Sequence, residues 1–273
     1  MNAIIKTARS FLFVPADRPE RLSKALATPA DAVIVDFEDA VAVSQKEKAR
    51  ELLADALNGI EDTSRLLVRI NPCASSWHEE DLAFVAGRRF GGIVLPKAED
   101  VADIEQIASA ASIPVIALIE SARGLDMVAA ISRARGVARL AFGHLDFQLD
   151  TGIECSADER ELDSVRLAIS LASRCAALPA PIDGVTTAMD DEAKLTADAL
   201  RSRRFGFRGK LCIHPRQVAA VNRAFSPDDA QVAWALSVVE AARESNGAAF
   251  ALHGQMVDAP VIQRAQALLE IDR

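Results

Sequence analysis

Residues 114–120 read Pro-Val-Ile-Ala-Leu-Ile-Glu, a short apolar run that ends in a carboxylate. Such a run is typical of a strand that is buried on both faces, as in a parallel sheet. Eight runs of this kind begin 21 to 45 positions apart, which is the spacing of βα units. They cover residues 11–15, 32–38, 66–71, 92–97, 114–120, 137–143, 182–187 and 210–215.

Ala-rich amphipathic segments fill most of the intervals and predict helices. These helices are expected at residues 19–27, 44–58, 100–111, 158–177 and 191–203. Ser44 is the expected N-cap of the second helix, with Glu47 as its capping-box partner. Strands that alternate with helices in this way predict an α/β fold, a closed (β/α)8 TIM barrel, with an open doubly wound sheet as the alternative.

The pattern changes after residue 216, so we expect a barrel domain over residues 1–216 and a helical extension over 217–273. Its helices are predicted at 217–225, 229–245 and 259–269, with a turn signal at Asn246-Gly247. Because the extension is longer than barrel closure requires, we expect it to act as a lid or as an arm onto a neighbouring subunit.

The composition is that of a globular, acidic protein. Half of the 273 residues are hydrophobic, and 39 acidic against 31 basic residues give a net charge of −8, which disfavours nucleic acid and anionic membranes as partners. No apolar run approaches the roughly 20 residues of a membrane helix, and residues 1–9 lack signal-peptide features, so a cytoplasmic location is expected. The four cysteines and four histidines are too scattered to favour a zinc cluster.

Polar residues close or follow most of the apolar runs. A TIM barrel gathers the carboxyl-terminal ends of its strands on one active face. A charge beside a buried strand is costly unless it is paired or used. We therefore expect one mouth to collect Asp36, Glu38, Asp39, Arg69, Asn71, Lys97, Glu120, Asp146 and His214.

Two of these carboxylates, Glu120 and Asp146, follow adjacent strands. With no Cys or His cluster nearby, they favour a hard divalent cation with oxygen ligands, Mg²⁺ first and Mn²⁺ second. The alternative is that one of them pairs with Arg69 or Lys97.

Arg69 carries a planar fork that suits a substrate carboxylate. Its alternative role is a buried ion pair with Asp36 or Glu38, and both roles are compatible. Asp36 and Asp39 are expected to cap the following helix or bond Arg69, whereas Glu38 is expected to bond a water on the ion.

The motifs resemble the citrate lyase beta-subunit-like family of the HpcH/HpaI aldolase superfamily. Examples are Ala-Val-Ile-Val-Asp-Phe-Glu-Asp-Ala-Val at 32–41 and Phe-Gly-His-Leu-Asp-Phe at 142–147. In order and spacing the matching stretches cover nearly the whole chain: residues 9–21, 32–41, 68–71, 92–97, 117–124, 142–147, 209–215 and 254–260. Ala16, where relatives carry Gly, and an unusual loop over 144–154 depart from the pattern.

The resemblance implies a lyase that makes or breaks a carbon–carbon bond of a CoA thioester, such as citramalyl-CoA or malyl-CoA, with a 2-oxo acid. Glu120 and Asp146 would be the magnesium ligands and Arg69 the clamp on the oxo-acid carboxylate. The alternatives are a CoA-independent 2-oxo-acid aldolase, the citryl-carrier lyase subunit of a citrate lyase complex, and a catalytically silent barrel.

Further residues receive roles only through the resemblance. Arg18, Arg21 and Lys24 would lie near the CoA phosphates, or else form a solvated helix start. Asp258 would be a catalytic carboxylate carried over the site by the C-terminal segment, often from a neighbouring subunit, or else the N-cap of the last helix. The resemblance also implies homotrimers or hexamers.

Overall fold

Eight parallel strands pair in sequence order, and the first also pairs with the last, so the sheet closes into a barrel. Closure shows in the register, where Phe11 lies opposite Ala32 on one side and Leu211 on the other. The computed structural model describes residues 3–244 and 249–271. The predicted (β/α)8 barrel is confirmed, with strands β1 Ser10–Pro15, β2 Ala32–Asp36, β3 Leu66–Arg69, β4 Gly92–Leu95, β5 Val115–Ile119, β6 Val137–Phe142, β7 Ile182–Asp183 and β8 Gly209–Cys212.

Helices follow the strands and continue beyond the barrel. The described part of the chain contains no helix long and apolar enough to cross a membrane. The helices are α1 Ala3–Thr7, α2 Leu22–Leu26, α3 Lys46–Leu57, α4 His78–Ala86, α5 Val101–Ala111, α6 Ala122–Asp126, α7 Val128–Ile131, α8 His144–Thr151, α9 Asp163–Cys175, α10 Glu192–Arg204, α11 Pro215–Phe225, α12 Asp229–Glu244 and α13 Ala259–Ile271.

The apolar runs form the barrel core because both faces of the strands are covered. Phe11, Ile34, Leu67, Ile116 and Leu211, from five different strands, are 4% exposed or less and pack in one cluster. Full burial of such a side chain contributes roughly 1.5–3 kcal/mol. A core of this size holds the strand ends, and the polar residues on them, in fixed relative positions.

Two local expectations were wrong. Ser44 lies inside a 3-10 turn, Val43–Gln45, and α3 begins at Lys46 without a side-chain cap. The Lys46 ammonium turns inward and donates to the carbonyl oxygens of Phe37 and Glu38, which sets the start of the helix in place of a capping box. Most of the expected loop over 144–154 is helical, because α8 covers His144–Thr151.

The chain divides into two compact units, Met1–Asn222 and Arg223–Arg273. The division was expected between residues 216 and 217, a position that lies inside helix α11, Pro215–Phe225. In the second unit α12 and α13 pack with an antiparallel hairpin, β9 Phe250–Leu252 and β10 Gln255–Val257, which the sequence analysis missed. The turn predicted at Asn246-Gly247 lies outside the described residues.

Candidate active site

A cavity of about 750 Å³ opens at the carboxyl-terminal ends of the barrel strands. This volume is within the range of small-molecule and cofactor sites. Among the residues predicted to converge, those on its wall are Asp36, Asp39, Arg69, Glu120, Asp146 and His214. The structure therefore brings together most of the polar residues at or after the strand ends.

Arg69, at the end of β3, is 9% exposed and is held by carboxylates. Its Nε and Nη2 atoms donate to the two carboxylate oxygens of Asp36, at 2.7 and 2.6 Å. Nη1 lies 2.9 Å from Glu38 Oε2 and 3.3 Å from Asp39 Oδ2, and the guanidinium sits 4.8 Å from the Phe13 ring centroid. Burial favours the neutral form of Arg69, but the charge and hydrogen bonds of Asp36 outweigh it and raise its pKa.

The loop after β2 is organised by Asp36, whose carboxylate accepts from the backbone N–H groups of Glu38 and Ala40. Glu38 is 9% exposed, and its Oε2 forms an ion pair with Nη1 of Arg69 without the alignment of a hydrogen bond. Burial raises the pKa of Glu38 to about 8, Arg69 opposes that shift, and the charges of Asp39 and Glu120 add to it. The Glu38 carboxyl therefore holds a proton more tightly than an exposed glutamate does.

Glu120, directly after β5, is 3% exposed. Its Oε1 accepts from the backbone N–H of Lys97 at 2.8 Å, whereas its buried Oε2 has no hydrogen-bond partner. Burial, and next the charge of Asp146, raise the pKa of Glu120 to about 7. Asp146 is half-buried in the first turn of α8, on the wall of the same cavity.

The donor set fits a divalent cation. Glu120 supplies a buried oxygen that no protein group satisfies, and Asp146 supplies a second carboxylate beside it. No group of three or more His, Cys, Asp or Glu side chains in the described ranges is arranged to hold a metal. Magnesium takes one or two protein carboxylates and keeps water and substrate oxygens for its other positions, so Glu120 and Asp146 suffice as its protein ligands.

The local charge points the same way. Asp36, Asp39, Glu120 and Asp146 line the cavity, and Arg69 is the buried cation among them. Carboxylates gathered around one mouth repel one another, so a positive ion or a proton stabilises the group.

Basic residues after β1 divide into two sets. Arg21 and Lys24 lie on the cavity wall. Arg18 is not among the lining residues; its side chain is 58% exposed, and its Nε lies 4.0 Å from Asp17 Oδ1. The structure thus brings two of the three predicted phosphate-binding residues to the cavity.

Three expected members of the mouth, Glu38, Asn71 and Lys97, are not on the cavity wall. Glu38 lies beside that wall, with its Oε2 2.9 Å from Nη1 of Arg69. The Asn71 side chain is buried between Lys46 and Asp81. The Lys97 side chain is exposed, and its backbone N–H is the group that reaches Glu120.

Sequence reasoning missed Lys46 and Gly143. Lys46 is buried and donates to the carbonyl oxygens of Phe37 and Glu38, so it fixes the loop that carries Glu38. Gly143 packs against the Glu120 side chain. Its place directly after the apolar run 137–143 was the available signal, because a glycine beside a charged strand end often marks a close approach.

Asp258 lies in the second unit. Its carboxylate Oδ1 accepts from the backbone N–H of Val261 at 3.3 Å, the bond of an N-cap at the start of α13. The capping role expected as the alternative is thus present within this unit.

The chain is similar to known proteins over the whole barrel. A family model described as HpcH/HpaI aldolase/citrate lyase matches residues 9–215. A citrate lyase subunit beta-like protein of Deinococcus radiodurans is 34% identical over an alignment of 282 positions, gaps included, that covers 98% of this chain and 99% of that protein. A (3S)-malyl-CoA thioesterase of Cereibacter sphaeroides is 32% identical over 260 residues, covering 93% of this chain and 89% of that protein.

A solved structure with the same fold carries ligands. Protein CitE from Mycobacterium tuberculosis, in complex with magnesium, acetoacetate and coenzyme A, aligns with a TM-score of 0.87 at 36% identity, covering 98% of each chain.

Proposed function

Because the chain belongs to the HpcH/HpaI aldolase/citrate lyase family, whose citrate lyase members are lyases, we propose that it is a Mg²⁺-dependent carbon–carbon lyase. Its substrate class is a β-hydroxyacyl-CoA thioester, such as citramalyl-CoA or malyl-CoA, with a 2-oxo acid as the second product. The observation that carries the proposal is the Glu120 carboxylate, buried with one oxygen unsatisfied and on the same cavity wall as Asp146 and Arg69.

Glu120 and Asp146 would hold the metal. When bound, the ion would supply Lewis-acid stabilisation of the charge that develops on the oxygen of the oxo acid. The carboxylates of Asp36 and Asp39 are less available for this purpose, because Arg69 already contacts both of them.

Arg69 would orient the carboxylate of the oxo acid. Asp36 occupies the edge of the guanidinium formed by Nε and Nη2, so the substrate has to approach at Nη1, where Glu38 and Asp39 lie. A substrate carboxylate that binds at Nη1 would share the positive charge of the guanidinium with Asp36, and Asp36 would hold the guanidinium in place.

Glu38 would hold a proton. In the cleavage direction the hydroxyl would give its proton to the ionised Glu38 carboxylate as the bond between the α-carbon of the acyl group and the hydroxyl-bearing carbon breaks. The protonated Glu38 would then return that proton to the acyl enolate carbon. With its pKa raised to about 8, the Glu38 carboxyl can carry a proton, and its Oε2 lies 2.9 Å from Nη1 of Arg69.

Arg21 and Lys24 would receive phosphate groups of CoA, since both lie on the cavity wall and phosphate is the anion that paired basic side chains favour. Arg18, exposed and outside the wall, would act only at longer range. The role of Asp258 as a catalytic carboxylate stays a prediction, and an Asp258→Asn variant with normal stability and reduced turnover would support it.

We also propose that the protein forms homotrimers or hexamers. Leu167 and Leu171 lie one turn apart on α9 and are 48% and 55% exposed, which is the pattern of a helix face covered by another chain. Size-exclusion chromatography with light scattering tests this, and a monomer would contradict it.

The decisive experiment is a screen of acyl-CoA thioesters with Mg²⁺ that follows the release of glyoxylate, pyruvate or oxaloacetate. Release that requires both CoA ester and Mg²⁺ supports the proposal. Cleavage of free hydroxy acids would favour a CoA-independent aldolase. Activity confined to an acyl-carrier thioester would favour a citrate lyase subunit, and hydrolysis without an oxo acid would favour a thioesterase.

A further inference from the structure

Glu120 lies between two backbone groups of the neighbouring strands. Strand β5 pairs with β4 on one side and β6 on the other. Just beyond the strand ends, the Lys97 N–H donates to Glu120 Oε1 and Gly143 packs against the Glu120 side chain. We infer that the Lys97 N–H and the bare Cα of Gly143 are positioning elements that select the rotamer of Glu120 for metal binding. This inference rests on the proposed function, in which Glu120 is a metal ligand.

Lys97 contacts Glu120 through its backbone, which has an unusual conformation. Lys97 has φ +46°, in the left-handed region that non-glycine residues rarely adopt. This conformation accompanies a 2.8 Å hydrogen bond from the Lys97 N–H to Glu120 Oε1. Strain of this kind persists where the surrounding structure enforces it and is frequent at functional sites. Its effect here is to hold Oε1 and leave Oε2 as the oxygen without a protein partner.

Gly143 leaves room for the Glu120 carboxylate because it has no side chain. A Cβ at Gly143 would lie 2.4 Å from Glu120 Oε2 and 2.7 Å from Glu120 Cβ, so the carboxylate would have to move. The backbone of Gly143, at φ −94° and ψ 72°, does not itself need glycine. The glycine is therefore explained by the approach of Glu120.

The loops around this arrangement are tied together. The Gly143 N–H donates to Ile119 O at 2.9 Å. Ser121 Oγ donates to Glu99 Oε1 at 2.6 Å, and the backbone N–H of Ala122 donates to Asp150 Oδ2 at 2.8 Å. These bonds join the loops after β4, β5 and β6, so Glu120 cannot readily escape a new methyl group by moving its backbone.

The test is Mn²⁺ binding to Gly143→Ala, measured by titration of the metal alone without substrate. Displacement of the Glu120 carboxylate should weaken Mn²⁺ binding by about tenfold or more, the usual effect of losing a group that orients a metal ligand. Gly209→Ala is the matched control. Its Cβ would also be crowded, 3.1 Å from Ala8 O, but at the start of β8, so its Mn²⁺ affinity should be that of the wild type.

Glu120→Gln distinguishes a failure of the positioning inference from a failure of the proposed metal site. If Glu120→Gln loses Mn²⁺ affinity and Gly143→Ala keeps it, the positioning inference is wrong while the metal ligand stands. If Glu120→Gln binds Mn²⁺ normally, the proposed function fails and the inference fails with it.

A stability cycle covers the case in which Gly143→Ala folds poorly. The cost of Gly143→Ala in unfolding free energy should be smaller in a Glu120→Ala background, because the carboxylate that meets the new methyl group is gone. Glu120→Ala keeps the Cβ that lies 2.7 Å from the new methyl group, so the cycle reports on the carboxylate alone. An equal cost in both backgrounds would show that the methyl group does not displace the carboxylate and would overturn the inference.

Discussion

Arg69 and Asp36 stand opposite each other in the register of β2 and β3, and Nε and Nη2 of Arg69 each donate to one oxygen of the Asp36 carboxylate. Both side chains are buried. The strand pairing that closes the barrel thus also assembles this ion pair. The same register leaves Nη1 beside Glu38 and Asp39, at the edge of the guanidinium that Asp36 does not occupy.

Asp36→Asn should destabilise the barrel unit by about 3 kcal/mol, because it leaves a buried guanidinium without its main countercharge. Urea denaturation measures this. Glu105→Gln is the control, since it removes a countercharge from Arg135, whose side chain is 89% exposed, and should cost far less. Equal costs for the two variants would mean that the Arg69–Asp36 pair does not stabilise the fold.

The positions of the strand ends could be predicted from the sequence, because they follow from the alternation of apolar runs and helices. Once eight parallel strands close, their carboxyl ends must share one face, which is how Arg69, Glu120 and Asp146 could be placed together from the sequence. The tight pairing of Arg69 with Asp36 was one of two open alternatives, since register is not visible in the sequence.

Side-chain direction at the rim could not be predicted. Lys97 sits at a strand end like Glu120, but its positive φ turns the side chain away and offers only its N–H. Arg18 precedes the 3-10 turn Pro19–Arg21 and stays off the cavity wall that Arg21 and Lys24 reach. These outcomes depend on single backbone angles, which apolar periodicity does not encode.

Loss of either carboxylate ligand should abolish magnesium-dependent turnover. Glu120→Ala and Asp146→Ala are expected to fold and to lose on the order of a hundred- to a thousandfold in rate, the effect of removing one transition-state stabiliser. Chelation of the wild type with EDTA should have a similar effect that added Mg²⁺ reverses. Rate assays and Mn²⁺ titration measure both effects.

The matched control for the ligand variants is Asp126→Asn, an exposed carboxylate on α6. It should leave metal affinity and turnover at the wild-type level. Unchanged metal affinity in Glu120→Ala or Asp146→Ala would refute the assignment of that residue as a ligand.

Lys24→Ala should weaken the binding of the CoA thioester and not that of the free oxo acid. Loss of one charge-assisted contact to phosphate is expected to raise KM for the thioester by about tenfold, and added salt should shrink the difference. Lys48→Ala, on the exposed face of α3, is the control. An equal change in KM for thioester and oxo acid would place Lys24 elsewhere in the mechanism.

The raised pKa of Glu38 predicts how the unfolding free energy of the metal-free protein changes with pH. Its pKa is raised from 4.5 to about 8 in the fold, chiefly by burial, so the folded state binds its proton more tightly than the unfolded state does. The stability that this proton contributes is complete below pH 4.5 and is lost as the pH rises through about 8. Glu38→Gln carries no titrating carboxyl, so its unfolding free energy relative to the wild type should rise across that window and level off above it. Urea denaturation in EDTA at several pH values measures the difference. If the unfolding free energy of Glu38→Gln relative to the wild type falls as the pH rises, the Arg69 charge, and not burial, dominates the pKa of Glu38.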